Sequence, residues 1–170
     1  MSLIRLDLTA SPGWFLYAFS AKPPPSARGF PEAGDQKLGR IVATLKERAK
    51  TVGEMADMAT FYFVAPKAYD PKSLKKWWNP ESPALLRELR ATIGELPLDD
   101  EPRVEEAFRK LAEQKTGGNL GKVAQPVRIA LTGSAASPSL FSVMAILGKE
   151  ECQRRFDAAL GNLEGNRGNP

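Results

Sequence analysis

The 170-residue chain contains no histidine and a single cysteine, and these two shortages exclude much of the chemistry open to a protein of this size. Without histidine there is no Ser–His or Cys–His nucleophilic pair and no histidine metal ligand. One cysteine, Cys152, permits no internal disulfide, which suits a reducing cytoplasm. No C-x-x-C, no glycine-rich phosphate loop and no H-E-x-x-H occurs. Long apolar runs are missing too: nothing approaches the roughly 18–20 apolar residues of a membrane span. The stretch "GWFLYAF" is too short to be one, and no secretory leader precedes the fold. No membrane partner is therefore expected. The carboxylate pairs Asp99–Asp100, Glu105–Glu106 and Glu150–Glu151 fall where helix surfaces are expected, so they read as solvated charges rather than an acid/base couple. No catalytic residue and no metal ligand is assigned.

What is present describes a binding protein. Hydrophobic residues make up 42% and charged residues 26%, an ordinary soluble composition with enough chain for one domain or two small ones. A net charge of +4 tilts mildly toward acidic partners such as nucleic acid.

Helix starts are written in pairs. Asp70-Pro71, Ser82-Pro83 and Ser137-Pro138 each couple a capping side chain to a proline at the first helical position, and Asp100 with Pro102 is a looser version. Thr51 and Glu54 form a capping box that opens a new helix inside the run 38–63. Leu38, Ile41, Val42, Leu45, Val52, Met55, Ala56, Ala59 and Phe63 place one apolar stripe along that run. Further helices are expected over 71–78, 83–95, 102–115, 123–132, 138–147 and 149–160, with Gly133 and Gly148 ending two of them in left-handed geometry.

The first 35 residues differ in character. Ile4, Leu6 and Leu8 alternate like a short strand, Ser11-Pro12 opens either a helix or a strand, and the four-proline stretch over 22–35 reads as a linker. The expected architecture is all-α: an N-terminal segment and linker (1–35), two consecutive small helical bundles (36–98 and 99–163, parted near "ELPLDDEP"), and a tail (164–170).

Three blocks then carry a family likeness: "LKERAKTVGEMADMATFYF" (45–63), "AYDPKSLKKW" (68–77) and "GKVAQPVRIALTGSAASPSLFSVMAILGKEECQRRF" (121–156). In order and spacing they resemble the C-terminal half of bacterial glutamyl-tRNA synthetase, over about residues 38–160. The third block is the most specific. The likeness implies a helical cage, built as two successive subdomains, that grips the anticodon of glutamate tRNA, tRNA(Glu). It implies a cytoplasmic monomer that binds and does not aminoacylate. The H-I-G-H-like and K-M-S-K-S-like signatures of the catalytic half are absent, so ATP and Mg would belong to that missing half, and this chain holds no cofactor. The chain reads as an excised domain or as one that has lost its catalytic half, with a catalytic synthetase domain or another protein as a further partner. A stand-alone protein-interaction domain derived from the same scaffold is the alternative, for which "WFLYAF" would supply an apolar surface.

The loop "TGSAASPS" holds the first candidates. As plain sequence, Ser137 is a helix cap, with the first-turn amides of a helix begun at Pro138 left open toward anions or base edges. The resemblance implies that Ser137, Pro138 and Leu140 contact anticodon bases, and that Arg48 reads the last base, a cytosine, with its two-donor fork. Lys50, Lys122 and Arg128 would meet the tRNA backbone. Arg128 has an equal second reading, as a half-buried arginine holding a carboxylate or a loop carbonyl. In "KKWWN", Trp77 reads as a core residue and Trp78 as the freer one; Cys152 reads as a surface or half-buried thiol.

Overall fold

A computed structural model describes residues 34–165, and among them all regular structure is helical. The expected strand near the N-terminus, the 22–35 linker up to residue 33 and the last five residues lie outside the described range. The helices are α1 (Asp35–Leu45), α2 (Val52–Met58), α3 (Thr60–Phe63), α4 (Pro71–Trp77), α5 (Ser82–Glu95), α6 (Glu101–Thr116), α7 (Leu120–Thr132), α8 (Leu140–Leu147) and α9 (Lys149–Gly165). The all-α expectation holds for this range. Among the described residues no helix is long and apolar enough to cross a membrane.

The chain divides into two compact units, up to Phe63 and from Val64 onward. This is a different division from the one expected at 98/99. Helix α5 packs on both α7 and α9, and Leu98 in the "ELPLDDEP" connection is buried, so that connection lies inside the second unit.

In the first unit, Leu38, Ile41 and Leu45 of α1 recur at three- and four-residue spacing and are buried. Met55, Ala56, Ala59 and Tyr62 continue the buried stripe. The expected final position, Phe63, is half-buried, and Tyr62 takes the core place. The hydroxyl of Thr44 donates to the carbonyl of Ile41 (2.8 Å), so the Tyr62 hydroxyl is the donor in the 2.9 Å bond between the two side chains. Thr51 caps α2 as read, accepting from the amide of Glu54 at 3.1 Å; the return bond from Glu54 reaches the amide of Lys50 (2.8 Å).

In the second unit α7 is central, packed by α4, α5, α6 and α9. Val123, Pro126, Val127, Ile129, Ala130 and Leu131 are buried on it, so the helix is covered on most of its circumference. On the helices packed against it, Leu86, Leu89 and Ile93 of α5, Val104 and Phe108 of α6 and Phe156 of α9 are buried, as are Val143 and Met144 of α8, which packs on α6 and α9. Each such side chain contributes about 1.5–3 kcal/mol of burial. Phe108 meets Phe141 edge-on, with centroids 5.5 Å apart.

The caps show which local readings survive. Asp70 accepts from the amide of Ser73 (2.8 Å) and Asp100 from that of Arg103 (3.2 Å), as expected. Ser82 is not the cap of α5. It is already the first helical residue, and Asn79 accepts from the amides of Glu81 and Ser82 in its place. Helix α7 begins before the expected residue 123, because Asn119 caps it through the amide of Lys122 (3.2 Å). Gly133 ends α7 in left-handed geometry as read; Gly148 has φ +81° but an extended ψ of 167°. Helix α9 runs past the expected residue 160 to Gly165.

Gly133 also admits no side chain. A Cβ there would sit 2.9 Å from the carbonyl oxygen of Ala68 and 3.0 Å from Pro66 Cβ, whereas Gly117 (φ +63°) has open space around it. Gly117→Ala is expected to cost about 1 kcal/mol from its backbone conformation alone. Gly133→Ala should cost more, about 3 kcal/mol, because it adds a collision with backbone. Urea unfolding of the two variants checks that order.

Candidate nucleic-acid interface

The segment between α7 and α8 is held from two sides. The amide of Asp70 donates to the carbonyl of Gly133 (2.8 Å), and the amide of Ala135 to the hydroxyl of Ser73 (3.0 Å). This fastens the loop to the start of α4. From α7 the guanidinium of Arg128 donates through Nη1 to the Ser137 carbonyl (3.1 Å), to the Ser137 hydroxyl (2.5 Å) and to the Pro138 carbonyl. Of the two readings of Arg128, the structure displays the one in which it holds loop carbonyls.

This grip corrects the expected cap. Ser137 is buried, and its hydroxyl is engaged by Arg128 and by its own neighbour's carbonyl (3.2 Å). Helix α8 starts at Leu140, after Ser139, and no side chain caps it. The amides of Leu140, Phe141 and Ser142 have no acceptor among the described residues, whereas the next, Val143, bonds the Ser139 carbonyl. Pro138 and Leu140 are buried as well, and Ser139 and Ala136 are the exposed residues of the segment. The loop thus presents backbone and a serine hydroxyl, while the three expected contact side chains face inward.

A second arginine, Arg155 on α9, went unremarked in the sequence and is 1% exposed. Its Nη1 donates to the carbonyl of Leu131 (2.7 Å) in the last turn of α7, and its Nε to Glu151 (2.6 Å). Burial pulls its pKa below the usual arginine value, and the bond to Glu151 works against that shift. Burial pushes the Glu151 carboxyl up, but hydrogen bonds from Arg154 and Arg155 outweigh it and hold the group below its ordinary value. Only the i, i+4 spacing of Glu151 and Arg155 hinted at the pair. The neighbouring Cys152 is fully buried, not superficial, and burial pushes its thiol up to about 12, so it is protonated and unreactive at neutral pH.

Arg48 and Lys50 lie in the turn between α1 and α2, both exposed. No hydrogen bond or ion pair holds the Arg48 or Lys50 side chain among the described residues. Lys122, also exposed and unpaired among the described residues, is at the first turn of α7, the opposite end of that helix from the Arg128 loop. The structure therefore gathers Arg128, Ser137 and Pro138 and places Lys122 apart from them. Trp77 is not core: it is half-buried and lines an open cleft with Lys76, whose ammonium lies 5.0 Å from the indole centroid. Trp78 is half-buried too. No group of His, Cys, Asp or Glu is placed to hold a metal ion among the described residues.

A helical chain with an uncapped helix start and exposed cations belongs to a class that comparison makes definite. Residues 14–160 match the family described as Anticodon binding domain, and the chain belongs to that family. Within it, the similarity is to glutamate–tRNA ligases. The chain is 45% identical over 134 residues to the glutamate–tRNA ligase of Anaeromyxobacter sp. (strain K), covering 79% of this chain and 28% of that protein. It is 43% identical over 131 residues to that of Citrifermentans bemidjiense, covering 77% and 28%. The crystal structure of a glutamate tRNA ligase from Elizabethkingia meningosepticum in complex with its amino acid superposes with a TM-score of 0.78 at 33% identity, over 91% of this chain and 30% of that one. The chain thus spans under a third of the relatives it matches.

Because the Glu151 carboxyl is held below its ordinary pKa, its contribution is complete above the unfolded-state value and is lost as pH falls through the folded-state value. Glu151→Gln is expected to lower the unfolding free energy by about 1–2 kcal/mol at pH 7. The gap to wild type should narrow as the pH falls below about 4. Urea melts of both proteins across that range test it.

Proposed function

We propose that this chain is a tRNA-reading module that recognises the anticodon of tRNA(Glu), in the cytoplasm, for glutamylation by a catalytic half with its own ATP and Mg sites. Membership of the anticodon-binding family supports the reading, and the observation that carries it is the loop fastened by Arg128, Asp70 and Ser73 beside the uncapped start of α8.

Three open amides at a helix start favour a phosphate oxygen or a base carbonyl. Unstacked loop bases are read at their Watson–Crick edges by such small polar groups. In this reading Ser137, Pro138 and Leu140 set the shape of the loop, and their backbone, with Ser139, meets the bases. Arg48 reads the last anticodon base, since an exposed guanidinium not held elsewhere is free to offer two parallel donors. Lys50 and Lys122 meet phosphates as point charges, and Arg128 acts from within by holding the loop.

Titration of the chain with tRNA(Glu) transcripts, wild type and with each anticodon base changed, at two salt concentrations, tests this. A single base change is expected to weaken binding by about 1–3 kcal/mol, and higher salt to weaken every variant. Arg48→Ala should abolish discrimination at one anticodon position, whereas Lys50→Ala should weaken all transcripts equally. Equal affinity for every anticodon would refute the proposal. Affinity for a protein that is insensitive to salt would favour the interaction-domain alternative.

A further inference from the structure

The cleft beside Trp77 is not accounted for by anticodon reading. It has a volume of about 460 Å³ and lies where the end of α4, the start of α5, the end of α6 and the start of α7 meet. That volume falls in the range of small-ligand sites. Its wall combines one aromatic surface, Trp77, with three lysines, Lys76, Lys115 and Lys122, against two carboxylates, Glu81 and Glu88. Glu88 is already paired with Lys115 at 3.0 Å, an exposed contact that a stronger anion would displace at little cost. Lys122 has no partner among the described residues, and Lys76 lies over the Trp77 ring on a flexible stem.

Asn79 adds a fixed hydrogen-bond donor. Its Oδ1 accepts from the amides of Glu81 (2.9 Å) and Ser82 (3.0 Å) and from the Ser82 hydroxyl (3.2 Å), which assigns the amide orientation. The Nδ2 group is left with two donors and no acceptor among the described residues. The cleft also lies in line with the loop. Helix α4 starts at the loop, where Asp70 bonds Gly133, and ends at the cleft with Trp77, so it runs antiparallel to α7. From Gly133 to Lys122 along α7 is about 16 Å. Lys72, Lys75 and Lys76 are exposed on the α4 stretch between the two places.

An indole surface, an oriented amide donor and mobile ammonium groups are the parts that hold a single-stranded nucleotide: base on ring, phosphate on lysine. We infer that this cleft takes one unpaired nucleotide of the RNA whose anticodon is read at the α7–α8 loop, with the base against Trp77 and the phosphate among Lys76, Lys115 and Lys122. The inference rests on the tRNA-reading proposal, and it assigns a second foothold a few nucleotides along the same strand.

The test uses the 170-residue chain and a fluorescein-labelled anticodon stem-loop of tRNA(Glu), followed by anisotropy. Trp77→Ala is expected to weaken binding about tenfold and Trp77→Phe no more than about threefold, since a phenyl ring still stacks. The ratio of affinities for wild-type and anticodon-substituted stem-loops should stay unchanged, because bases are discriminated at the loop. Lys122→Ala should reduce the slope of log affinity against log salt by about one. Trp77→Ala and Trp77→Phe proteins that both bind like wild type, with discrimination intact, would overturn the cleft assignment and leave anticodon reading standing. Failure of the wild type to discriminate anticodons would overturn both. Should Trp77→Ala unfold by circular dichroism, the Lys76→Ala/Lys122→Ala double variant decides: unchanged affinity and salt slope would overturn the assignment.

Discussion

The 134–139 loop has no helical ladder of its own, and its shape depends on one guanidinium. Arg128 holds two consecutive carbonyls and a hydroxyl of that loop, and it can do so because α7 is immobilised by packing on most of its circumference. An exposed arginine would spend most of its time hydrated and lose side-chain entropy in making these bonds. At the end of a buried helix much of that cost is met by the packing of its neighbours. Arg155 does the complementary work one residue before the last turn of α7 ends, closing the Leu131 carbonyl from α9. Two arginines thus tie the end of the central helix, one outward to the loop and one inward to the frame.

Such a loop is suited to recognition because little remains to be ordered when a ligand arrives. Ordering a mobile segment on binding subtracts from affinity, and a segment already bonded at Gly133, Ala135, Ser137 and Pro138 avoids that loss. The arrangement also separates two tasks by residue type. Arg128 and Arg155 fix geometry within the fold, and in the proposed reading Arg48 offers its planar fork to a base. The exposed Lys50, Lys72, Lys75, Lys76 and Lys122 supply mobile charge that suits a phosphate backbone of variable course.

How far the sequence told of this depends on whether the decisive partner was local. The caps at Thr51, Asp70 and Asp100 were legible because each bonds an amide three residues on, within its own turn. Ser137 carried the same signature and failed as a cap because an arginine nine residues earlier in the chain claimed its hydroxyl, moving the helix start to Leu140. Ser82 failed for a shorter-range reason: Asn79 reached the free amides first. The boundary expected near residue 98 was read from prolines and acids in the connection, which say nothing of α5 packing on α7 and α9. Trp77 was read as core because the family usually has an aliphatic core residue at its place; the cleft that half-exposes it brings the α4–α5 connection against the end of α6 and the start of α7, some forty residues on. The family blocks carried the helical fold and the family, which no single cap or stripe could, but not which side chains of the loop face outward.

The central claim is that the α7–α8 loop and the turn after α1 meet anticodon bases, and amide hydrogen exchange with and without the tRNA(Glu) anticodon stem-loop tests it most directly. The account predicts that the amides of Leu140, Phe141 and Ser142, which lack acceptors among the described residues, and those of the 46–50 turn exchange more slowly in the complex. Saturated binding that leaves exchange at both places unchanged would contradict it.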